Sequence, residues 1–348
     1  MAKKVFVGLS GGVDSSVTAA LLKEQGYKVT GVYMKNWSQD LPGHHCPWKE
    51  DYQDAKRVAV QLGIEFKMYD FEKEYRHKVV DYMIAEYKAG RTPNPDIMCN
   101  QEVKFKLFLE TALEEGADMI ATGHYARIKD GKLMTAKNKD KDQTYFLYRV
   151  SEDALKKSLM PIGDFKAKTE VRALAKKFGL ATADKKDSQG ICFVGKVGIK
   201  DFLGNYVKTK PGDIKDKTGK VIGQHEGAIF YTLGQRHGLD VGGGLPYYVV
   251  GKDMKKNEVY VTTDLDDESL WHAELKLIDV HWINPPSTLN KLSVLTRYRA
   301  PMVECEISKT DDNTLHVKLL SQVRALTPGQ SAVFYDGDVC LGGGIITG

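Results

Sequence analysis

The sequence has no run of about 18 apolar residues, so no transmembrane helix is expected. Its first residues run directly into a short strand-like stretch, without the long apolar core and small-residue cleavage site of a signal peptide. It has no tandem repeat and no low-complexity tract. With 348 residues, of which 42% are hydrophobic and 28% charged, the chain is expected to be a globular cytoplasmic protein of two or three domains.

Cysteine is scarce and scattered. The five positions contain no C-x-x-C pair: Cys46, Cys99, Cys192, Cys305 and Cys340. An odd number of separated cysteines does not predict a secreted disulfide framework, and the paired spacing of zinc ligands is absent, so no metal-binding cluster is predicted. Cys46 is expected on a surface loop, with metal ligation beside His44 and His45 as the alternative. Cys305 and Cys340 lie in strand-like stretches and are expected in the core.

Neither sign of charge predominates, since the formal net charge is only +4. Between Lys185 and Lys220, however, nine lysines and four aspartates give a local net charge of +5, more than the whole chain carries. A basic stretch of this kind suits a polyanion such as a nucleic acid. A solvated lysine-rich face is the alternative, and charge alone does not decide between them.

The first half of the chain alternates short apolar stretches with helical patterns. Strands are predicted at residues 5–9, 28–34, 64–69 and 117–122, with helices between them. This alternation predicts βαβ units and a parallel sheet. Near residue 200 the pattern changes to glycine-rich turns and short β-like runs, and from about residue 274 it predicts a small antiparallel barrel or sandwich. The predicted domains are therefore residues 1–200, 201–272 and 273–348.

The strongest motif follows the first strand and opens the first helix. It is a glycine-rich loop made of Gly8, Leu9, Ser10, Gly11, Gly12, Val13, Asp14 and Ser15. Backbone N–H groups and the helix N-terminus favour an anion here, and glycine permits its close approach. The loop is neither a Walker A loop nor a Rossmann fingerprint. It resembles the PP-loop of ATP pyrophosphatases, which implies that Asp14 helps to place magnesium and pyrophosphate.

A proline-stiffened loop, residues 91–100, precedes another predicted helix. Cys99 is expected near the N-terminus of that helix, where a thiolate is favoured and the pKa of the thiol falls. Asp96, three residues earlier, is placed to move a proton. A capping aspartate and an inert buried cysteine are the alternative.

Cys192 is the second candidate thiol, in a polar segment that follows Lys185 and Lys186. The nearby positive charge is expected to lower the pKa of this thiol. Cys99 and Cys192 are 93 residues apart, so only the fold can bring them together. Two thiols that meet transiently suit persulfide chemistry, in which one carries the terminal sulfur and the other releases it.

Taken in order, several blocks of the sequence resemble the bacterial tRNA-specific 2-thiouridylases over essentially the whole chain. The blocks are the glycine-rich loop, Asn94-Pro95-Asp96 with Cys99-Asn100, Ala121 to Tyr125, Lys141 to Leu147, Asp187 to Phe193, Tyr231 to Arg236, Arg297-Tyr298-Arg299 and Thr327 to Gln330. Gln101 and His237 depart from the usual blocks, where lysine is common. The resemblance implies a PP-loop α/β domain, a small central domain and a C-terminal antiparallel β-barrel.

The same resemblance implies roles for single residues. ATP, with Mg²⁺, is expected on Gly8 to Ser15, Met34 and Gly123. Cys99 is expected to be the nucleophile, Cys192 the persulfide carrier, and Asn94, Pro95 and Asp96 the contacts to the target base. The expected tRNA contacts are His124, Lys141, Asp142, Gln143, Arg297, Tyr298 and Gln330.

The implied reaction is adenylation of the 2-oxygen of the wobble uridine, followed by replacement of that oxygen by sulfur. The expected partners are a tRNA with a wobble uridine and an upstream persulfide donor, either a cysteine desulfurase or a sulfur relay protein, and no membrane. Cys99 acts either on the persulfide, leaving a Cys99–Cys192 disulfide, or on the base. Two rival classes are a PP-loop ligase, which needs neither cysteine, and a non-catalytic RNA- or nucleotide-binding protein, which releases no pyrophosphate.

Overall fold

The computed structural model describes residues 2–40, 45–186, 198–242, 244–286, 291–311 and 313–347. A parallel sheet with helices is followed by a small central sheet and a closed antiparallel barrel. This arrangement confirms the predicted fold class. Every helix in the described ranges is too short or too polar to span a bilayer.

The first seven strands of the described chain build the parallel sheet and one hairpin. They are β1 (Lys4–Gly8), β2 (Lys28–Lys35), β3 (Glu65–Asp70), β4 (Met119–Ala121), β5 (Ala126–Lys129), β6 (Lys132–Thr135) and β7 (Ser158–Leu159). The parallel sheet has the order β3-β2-β1-β4-β7, and β5 pairs with β6. Val5 and Val7 of the central strand are fully buried, as expected where helices cover both faces of a sheet. The four predicted strands are confirmed to within about two residues.

The helices of the described chain fall almost entirely in its first 180 residues. They are α1 (Val13–Glu24), α2 (Trp48–Leu62), α3 (Glu72–Tyr75), α4 (Asp81–Lys88), α5 (Pro95–Met98), α6 (Phe108–Glu114), α7 (Glu152–Lys156), α8 (Lys168–Lys177) and α9 (Ile199–Gly204). Wider turns with π geometry, at Arg76–Val80 and Cys99–Leu107, join α3 to α4 and α5 to α6. Such turns are rare and occur often at functional sites.

Four strands form the central sheet. They are β8 (Gly212–Lys215), β9 (Val221–His225), β10 (Tyr248–Asp253) and β11 (Glu258–Thr262), in the order β10-β11-β8-β9. The sheet has its own small core, in which Ile214, Val249 and Val259 are fully buried. The turn-rich sequence after residue 200 therefore folds around a separate apolar cluster.

Six antiparallel strands close into a barrel. They are β12 (Trp271–Trp282), β13 (Leu292–Leu295), β14 (Val303–Asp311), β15 (Thr314–Arg324), β16 (Ser331–Asp336) and β17 (Val339–Ile346). Their order is β12-β15-β14-β13-β16-β17, and pairing of β12 with β17 closes the ring, which removes exposed strand edges. Cys305 and Cys340 are fully buried in this part, as predicted.

The hairpin β5–β6 connects the first part of the chain to the barrel. Met134 of β6 pairs with Val339 of β17, so the hairpin extends the barrel sheet. Asp338 strengthens this connection by accepting hydrogen bonds from the Thr135 hydroxyl at 2.9 Å and the Arg127 guanidinium at 3.0 Å. The domain division at residues 200 and 272 remains a prediction, and β12 begins at Trp271.

Candidate active site

The glycine-rich loop forms a tight turn between β1 and α1. The Ser10 amide donates a hydrogen bond to the Ser15 hydroxyl at 3.2 Å, and the two serine hydroxyls are also 3.2 Å apart. Gly11 has a φ of +73°, and a Cβ at this position would lie 2.4 Å from the Asp51 carbonyl oxygen. The turn therefore requires glycine, and it places backbone N–H groups at the start of α1, where an anion is favoured.

Two predicted nucleotide contacts from other strands lie against this loop. Gly123, just beyond β4, is so close to α1 that an added Cβ would lie 2.7 Å from the Ser15 amide nitrogen. Met34 on β2 covers Gly8, where an added Cβ would lie 2.9 Å from the Met34 methyl group. The predicted nucleotide-binding residues thus gather at the carboxyl ends of β1, β2 and β4, the edge at which α/β sheets bind ligands. Their role in binding remains a prediction.

Asp14, in the first turn of α1, is held by two residues to which the sequence assigned no role. The Lys168 ammonium donates to both carboxylate oxygens, at 2.8 and 2.7 Å, and the Tyr125 hydroxyl donates to one of them at 3.0 Å. The ammonium also lies 5.6 Å from the centre of the Tyr125 ring. The negative charge of Asp14 is therefore compensated by a lysine from α8.

The loop that precedes Cys99 leads directly into a helix, as predicted. The Asn94 side chain accepts a hydrogen bond from the Asp96 amide at 3.2 Å, and Pro95 occupies the first helical position, a usual N-terminal arrangement. Cys99 follows α5 at the point where the turns widen. The predicted order of cap, proline and thiol is therefore present near one helix N-terminus.

The expected low pKa of Cys99 is wrong. Cys99 is buried, and this burial raises the pKa of its thiol, because an apolar surrounding disfavours the thiolate. Lys104 and a hydrogen bond from Tyr75 act in the opposite direction, while Asp96 adds to the increase. Spacing along the sequence does not reveal this burial.

The positive charge of Lys104 affects the pKa values of several groups around Cys99. Its charge opposes the increase in the pKa of Asp96 that burial causes, and it contributes to lowering the pKa of His124, after burial. Within the described part of the chain Lys104 forms no ion pair, whereas Lys106 lies 3.5 Å from the Glu102 carboxylate. The raised pKa of Asp96 is suited to the predicted proton transfer.

His124 is buried and lies between the phosphate loop and the helix that carries Cys99. Its Nδ1 atom is 2.8 Å from the Thr122 hydroxyl, and its ring lies 5.6 Å from the ring of Phe105, on the helix of Cys99. The preceding residue, Gly123, lies against the phosphate loop. Because His124 is buried, its predicted contact with tRNA would require it to become accessible.

An aromatic contact connects the Cys99 helix to the barrel. The Asn100 side chain donates to the Phe146 carbonyl at 3.0 Å, and the rings of Phe146 and Tyr298 are 4.4 Å apart. Tyr145 also approaches Tyr298, at 6.2 Å. Tyr298, predicted to contact tRNA, therefore lies close to the chain that carries the candidate nucleophile.

All three parts of the chain meet at Thr92. Its amide donates to the Pro328 carbonyl at 2.8 Å, its carbonyl accepts from the Gln330 side chain at 2.9 Å, and its hydroxyl is 3.1 Å from the Thr232 hydroxyl. Gly329 approaches so closely that an added Cβ would lie 2.9 Å from the Thr92 amide nitrogen. This three-part junction lies two residues before Asn94.

Arg297 belongs to the same junction. Its guanidinium donates to the carbonyls of Leu233 and Ala325, each at 3.3 Å, and to the Thr327 hydroxyl at 3.0 Å. Burial lowers the pKa of this guanidinium. Arg297 and Gln330, both predicted to contact tRNA, therefore hold protein groups together in this structure.

The predicted tRNA residues Lys141, Asp142 and Gln143 lie in the connection after β6. The Asp142 carboxylate accepts from the Ala136 amide at 2.6 Å and the Thr144 hydroxyl at 2.5 Å. The Gln143 side-chain oxygen accepts from the Tyr125 amide at 2.8 Å. Asp142 and Gln143 thus hold this connection in place. Through Tyr125, whose hydroxyl contacts Asp14, the connection lies beside the phosphate loop.

Cys192 lies outside the described residues, so its predicted meeting with Cys99 remains a prediction. Lys185, expected to lower the pKa of Cys192, donates instead to Asp51 at 2.7 Å and Asp54 at 2.6 Å. Its charge is already compensated. The backbone of Asp51 contacts the phosphate loop at Gly11. Because Lys185 bonds to Asp51, the chain at Lys185 lies close to the phosphate loop.

The basic stretch from Lys185 to Lys220 is also partly compensated. Lys200 pairs with Glu226 at 2.8 Å, and Lys215 pairs with Glu258 at 2.5 Å. Lys217 lies 2.6 Å from the Asp267 carboxylate. The local excess of positive charge along the sequence therefore overstates the charge that a polyanion would meet.

The fold and the loop define the class of the protein: an α/β nucleotide-binding domain of the PP-loop type, joined to a central domain and a β-barrel. Three family models match the chain in order, described as a tRNA methyl transferase HUP domain (residues 3–196), a tRNA methyl transferase PRC-barrel domain (residues 200–263) and an aminomethyltransferase beta-barrel domain (residues 272–346).

The particular family follows from full-length relatives. The chain is 50% identical to the tRNA-specific 2-thiouridylase MnmA of Listeria monocytogenes, over 99% of this chain and 94% of the relative. It is 48% identical to that of Methylobacillus flagellatus, over 100% and 99%. The chain belongs to the tRNA-specific 2-thiouridylase family, a family of tRNA sulfurtransferases.

Solved structures show much weaker likeness. A 4-thiouridine synthetase–RNA complex with bound ATP is 17% identical, with a TM-score of 0.35, over 59% of this chain and 50% of that chain. The NMN synthetase from Francisella tularensis is 19% identical, with a TM-score of 0.35, over 58% and 77%. These values are too low to bear on function.

Proposed function

We propose that this chain thiolates the wobble uridine of tRNA at carbon 2, using ATP and a protein-bound persulfide. One observation carries the proposal: Gly123 lies against the phosphate loop while the adjacent His124 packs on the helix of Cys99. A nucleotide on the loop and the candidate nucleophile are therefore connected through two consecutive residues. Membership of the 2-thiouridylase family supports this reaction.

The first step is activation of the base. The uridine 2-oxygen attacks the α-phosphorus of ATP, the bond to the β-phosphate breaks, and pyrophosphate leaves. The carbon-2 oxygen, a poor leaving group by itself, then departs as part of AMP. The phosphate loop with Met34 and Gly123 would bind the nucleotide, in agreement with an anion site at a helix N-terminus.

The second step delivers sulfur. Cys192 would carry the persulfide, supplied by a cysteine desulfurase or a sulfur relay protein. In one route, the Cys99 thiolate attacks the Cys192 sulfur, hydrosulfide leaves, and a Cys99–Cys192 disulfide forms; the hydrosulfide then attacks carbon 2 and AMP leaves. In the other, Cys99 attacks carbon 2 of the base and AMP leaves; the terminal sulfur of the Cys192 persulfide then displaces Cys99 from carbon 2, and the freed Cys99 thiolate attacks the Cys192 sulfur, which releases the thiolated base and forms the same disulfide. In both routes Lys104 and Tyr75 would favour the Cys99 thiolate, and Asp96 would transfer a proton.

Magnesium fits the loop only as a companion of the nucleotide. Mg²⁺ is usually held by one or two carboxylates together with substrate phosphates, and Asp14 is the carboxylate of this loop. No group of three or more potential metal ligands occurs among the residues described in the structure. When bound, Mg²⁺ would neutralise phosphate charge, with Asp14 and the triphosphate holding it.

The barrel and the junction would hold the tRNA. Extruding a base from its stack costs a few kcal/mol, and aromatic stacking is one way to offset that cost. Tyr298 beside Phe146 could provide such a surface near Asn94, Pro95 and Asp96. Residues 1–200 would thus perform the chemistry in the cytoplasm, while residues 273–348 would bind tRNA beside the central domain.

The direct test is mass spectrometry of tRNA nucleosides after incubation with ATP, a persulfide source and the protein. We expect 2-thiouridine from the unmodified chain and no detectable product from Cys99→Ser or Cys192→Ser. Cys46→Ser is the matched control, since Cys46 is only partly buried and lies outside the proposed chemistry. Full activity of either Cys99→Ser or Cys192→Ser would exclude the two-thiol scheme. Thiolation without pyrophosphate release would exclude adenylation.

A further inference from the structure

Lys168 is a charged residue that contacts the phosphate loop and that no proposed step uses. It is the first residue of α8, and its ammonium donates to both oxygens of Asp14 while lying over the Tyr125 ring. Its side chain is only 15% exposed and that of Asp14 is 29% exposed. A lysine is thus held at low exposure directly beside a predicted anion site.

The start of α8 fixes the position of this ammonium. The amides of Lys166 and Ala167 both donate to the Glu170 carboxylate, at 3.0 and 2.8 Å, which holds the first turn in place. Val171 and Ala175 are fully buried in the core that α8 shares with α1. Lys168 is therefore part of a rigid connection between α8 and the helix that begins at the phosphate loop.

The charges explain why a lysine is needed here. The start of α1 favours an anion, but the Asp14 carboxylate in the same turn repels one. With Lys168 in place the pair has no net charge, and an ammonium with three N–H donors stands within reach of the loop. Without Lys168, only a bound Mg²⁺ would compensate the Asp14 carboxylate beside the phosphates.

We infer that Lys168 binds the β- and γ-phosphates of ATP, and the pyrophosphate that they become, by sharing its ammonium between Asp14 and the phosphate oxygens. The inference rests on the proposed use of ATP and adds the residue that recognises the polyphosphate end. It predicts a specific defect: loss of Lys168 weakens binding of polyphosphate ligands and leaves binding of AMP nearly unchanged.

The experiment compares ligands that differ only in their phosphates. Calorimetric titration of the full chain with ATP, AMP and inorganic pyrophosphate, each with and without Mg²⁺, is carried out without tRNA or sulfur. For Lys168→Met we expect at least about tenfold weaker binding of ATP and pyrophosphate, because charge-assisted hydrogen bonds are lost, and less than about threefold change for AMP. Lys168→Arg, which keeps the charge, should recover most of the affinity.

Lys177→Met is the matched control, because Lys177 lies on the same helix but pairs with Glu24 at the surface, at 3.7 Å. It should bind all three ligands as the unmodified chain does. A purely structural role for Lys168 predicts equal weakening of ATP and AMP together with a lower melting temperature, and this result would overturn the inference. Unchanged binding of pyrophosphate by Lys168→Met would also overturn it and leave the thiolation proposal standing. Failure of thiolation alone would not affect the ligand comparison.

Discussion

The two halves of the candidate site are built in different ways. The nucleotide half is built around one uninterrupted stretch, Gly8 to Ser15, whose own side chains hydrogen-bond within the turn and against which Gly123 packs. The thiol half, which contains Cys99 and the junction at Thr92, is assembled from residues far apart in the chain. Thr92 and Gln330, for example, are 238 positions apart. Close backbone packing at one turn fixes the first half, whereas side-chain contacts between distant segments fix the second.

This difference has a consequence for how each half tolerates change. A tight turn fails when a single atom is added, because the backbone has no other conformation that fits. An assembled junction contains several moderate hydrogen bonds, each contributing about 0.5–1.5 kcal/mol, so the loss of one weakens it only in part. The two halves should therefore differ in the size of the effect of a minimal substitution.

The largest effect is expected for Gly123→Ala. The added Cβ would lie 2.7 Å from the Ser15 amide nitrogen, so α1 or the chain after β4 must move. Overpacking of this kind costs about 1–3 kcal/mol, which corresponds to roughly 5- to 150-fold weaker ATP binding if the strain falls on the loop. Titration with ATP measures the change.

Gly204→Ala is the control for that substitution, because an added Cβ at Gly204 meets nothing within 4 Å and the residue is helical. It should bind ATP normally and gain roughly 0.5–1 kcal/mol in stability. Normal ATP binding by Gly123→Ala would show that the loop is more adaptable than its geometry indicates, and the contrast between the two halves would disappear.

An intermediate effect is expected for Lys104→Met. The positive charge of Lys104 lowers the pKa of Cys99 against the effect of burial, so its removal should move that pKa further upward. Since the thiolate is the reactive form, alkylation of Cys99 at pH 8 should slow by roughly three- to tenfold, and the rate should rise at a higher pH than in the unmodified chain. Peptide-resolved mass spectrometry after iodoacetamide treatment measures this rate for Cys99 alone.

Lys106→Met provides the comparison for Lys104→Met, because Lys106 lies on the same helix and interacts with Glu102. In Lys106→Met, the rate of Cys99 alkylation should depend on pH as it does in the unmodified chain. An identical shift in both variants would mean that general helix charge, rather than the position of Lys104, controls the thiol.

The sequence predicted the secondary structure around the phosphate loop almost completely. Strand-to-helix alternation placed β1, the loop and α1, and glycine at Gly11 and Gly12 identified the turn. Lys168 was missed because it is 154 positions from Asp14 and no local pattern joins them. Contacts between distant segments arise from packing, which a periodicity does not describe.

The thiol half was predicted by residue type and less well by environment. Asn94, Pro95 and Cys99 lie at a helix N-terminus as expected, but burial of Cys99 reversed the expected direction of its pKa. Lys185 was expected to act on Cys192 and is paired with Asp51 and Asp54 instead. In both cases the neighbours that decide the electrostatics of the residue came from other parts of the chain.

The smallest effect is expected for Thr232→Val, which removes one hydroxyl from the three-part junction without changing the size of the side chain. The lost contact with the Thr92 hydroxyl, 3.1 Å away, should cost about 0.5–1.5 kcal/mol of stability, measured as a lower urea midpoint. ATP affinity should stay unchanged, because the junction does not touch the phosphate loop. Thr218→Val is the control, since its hydroxyl contacts Asp216 in an exposed turn of the central sheet. If Thr232→Val weakened ATP binding as much as Gly123→Ala, the two halves would form a single cooperative unit and the distinction between local and assembled construction would not hold.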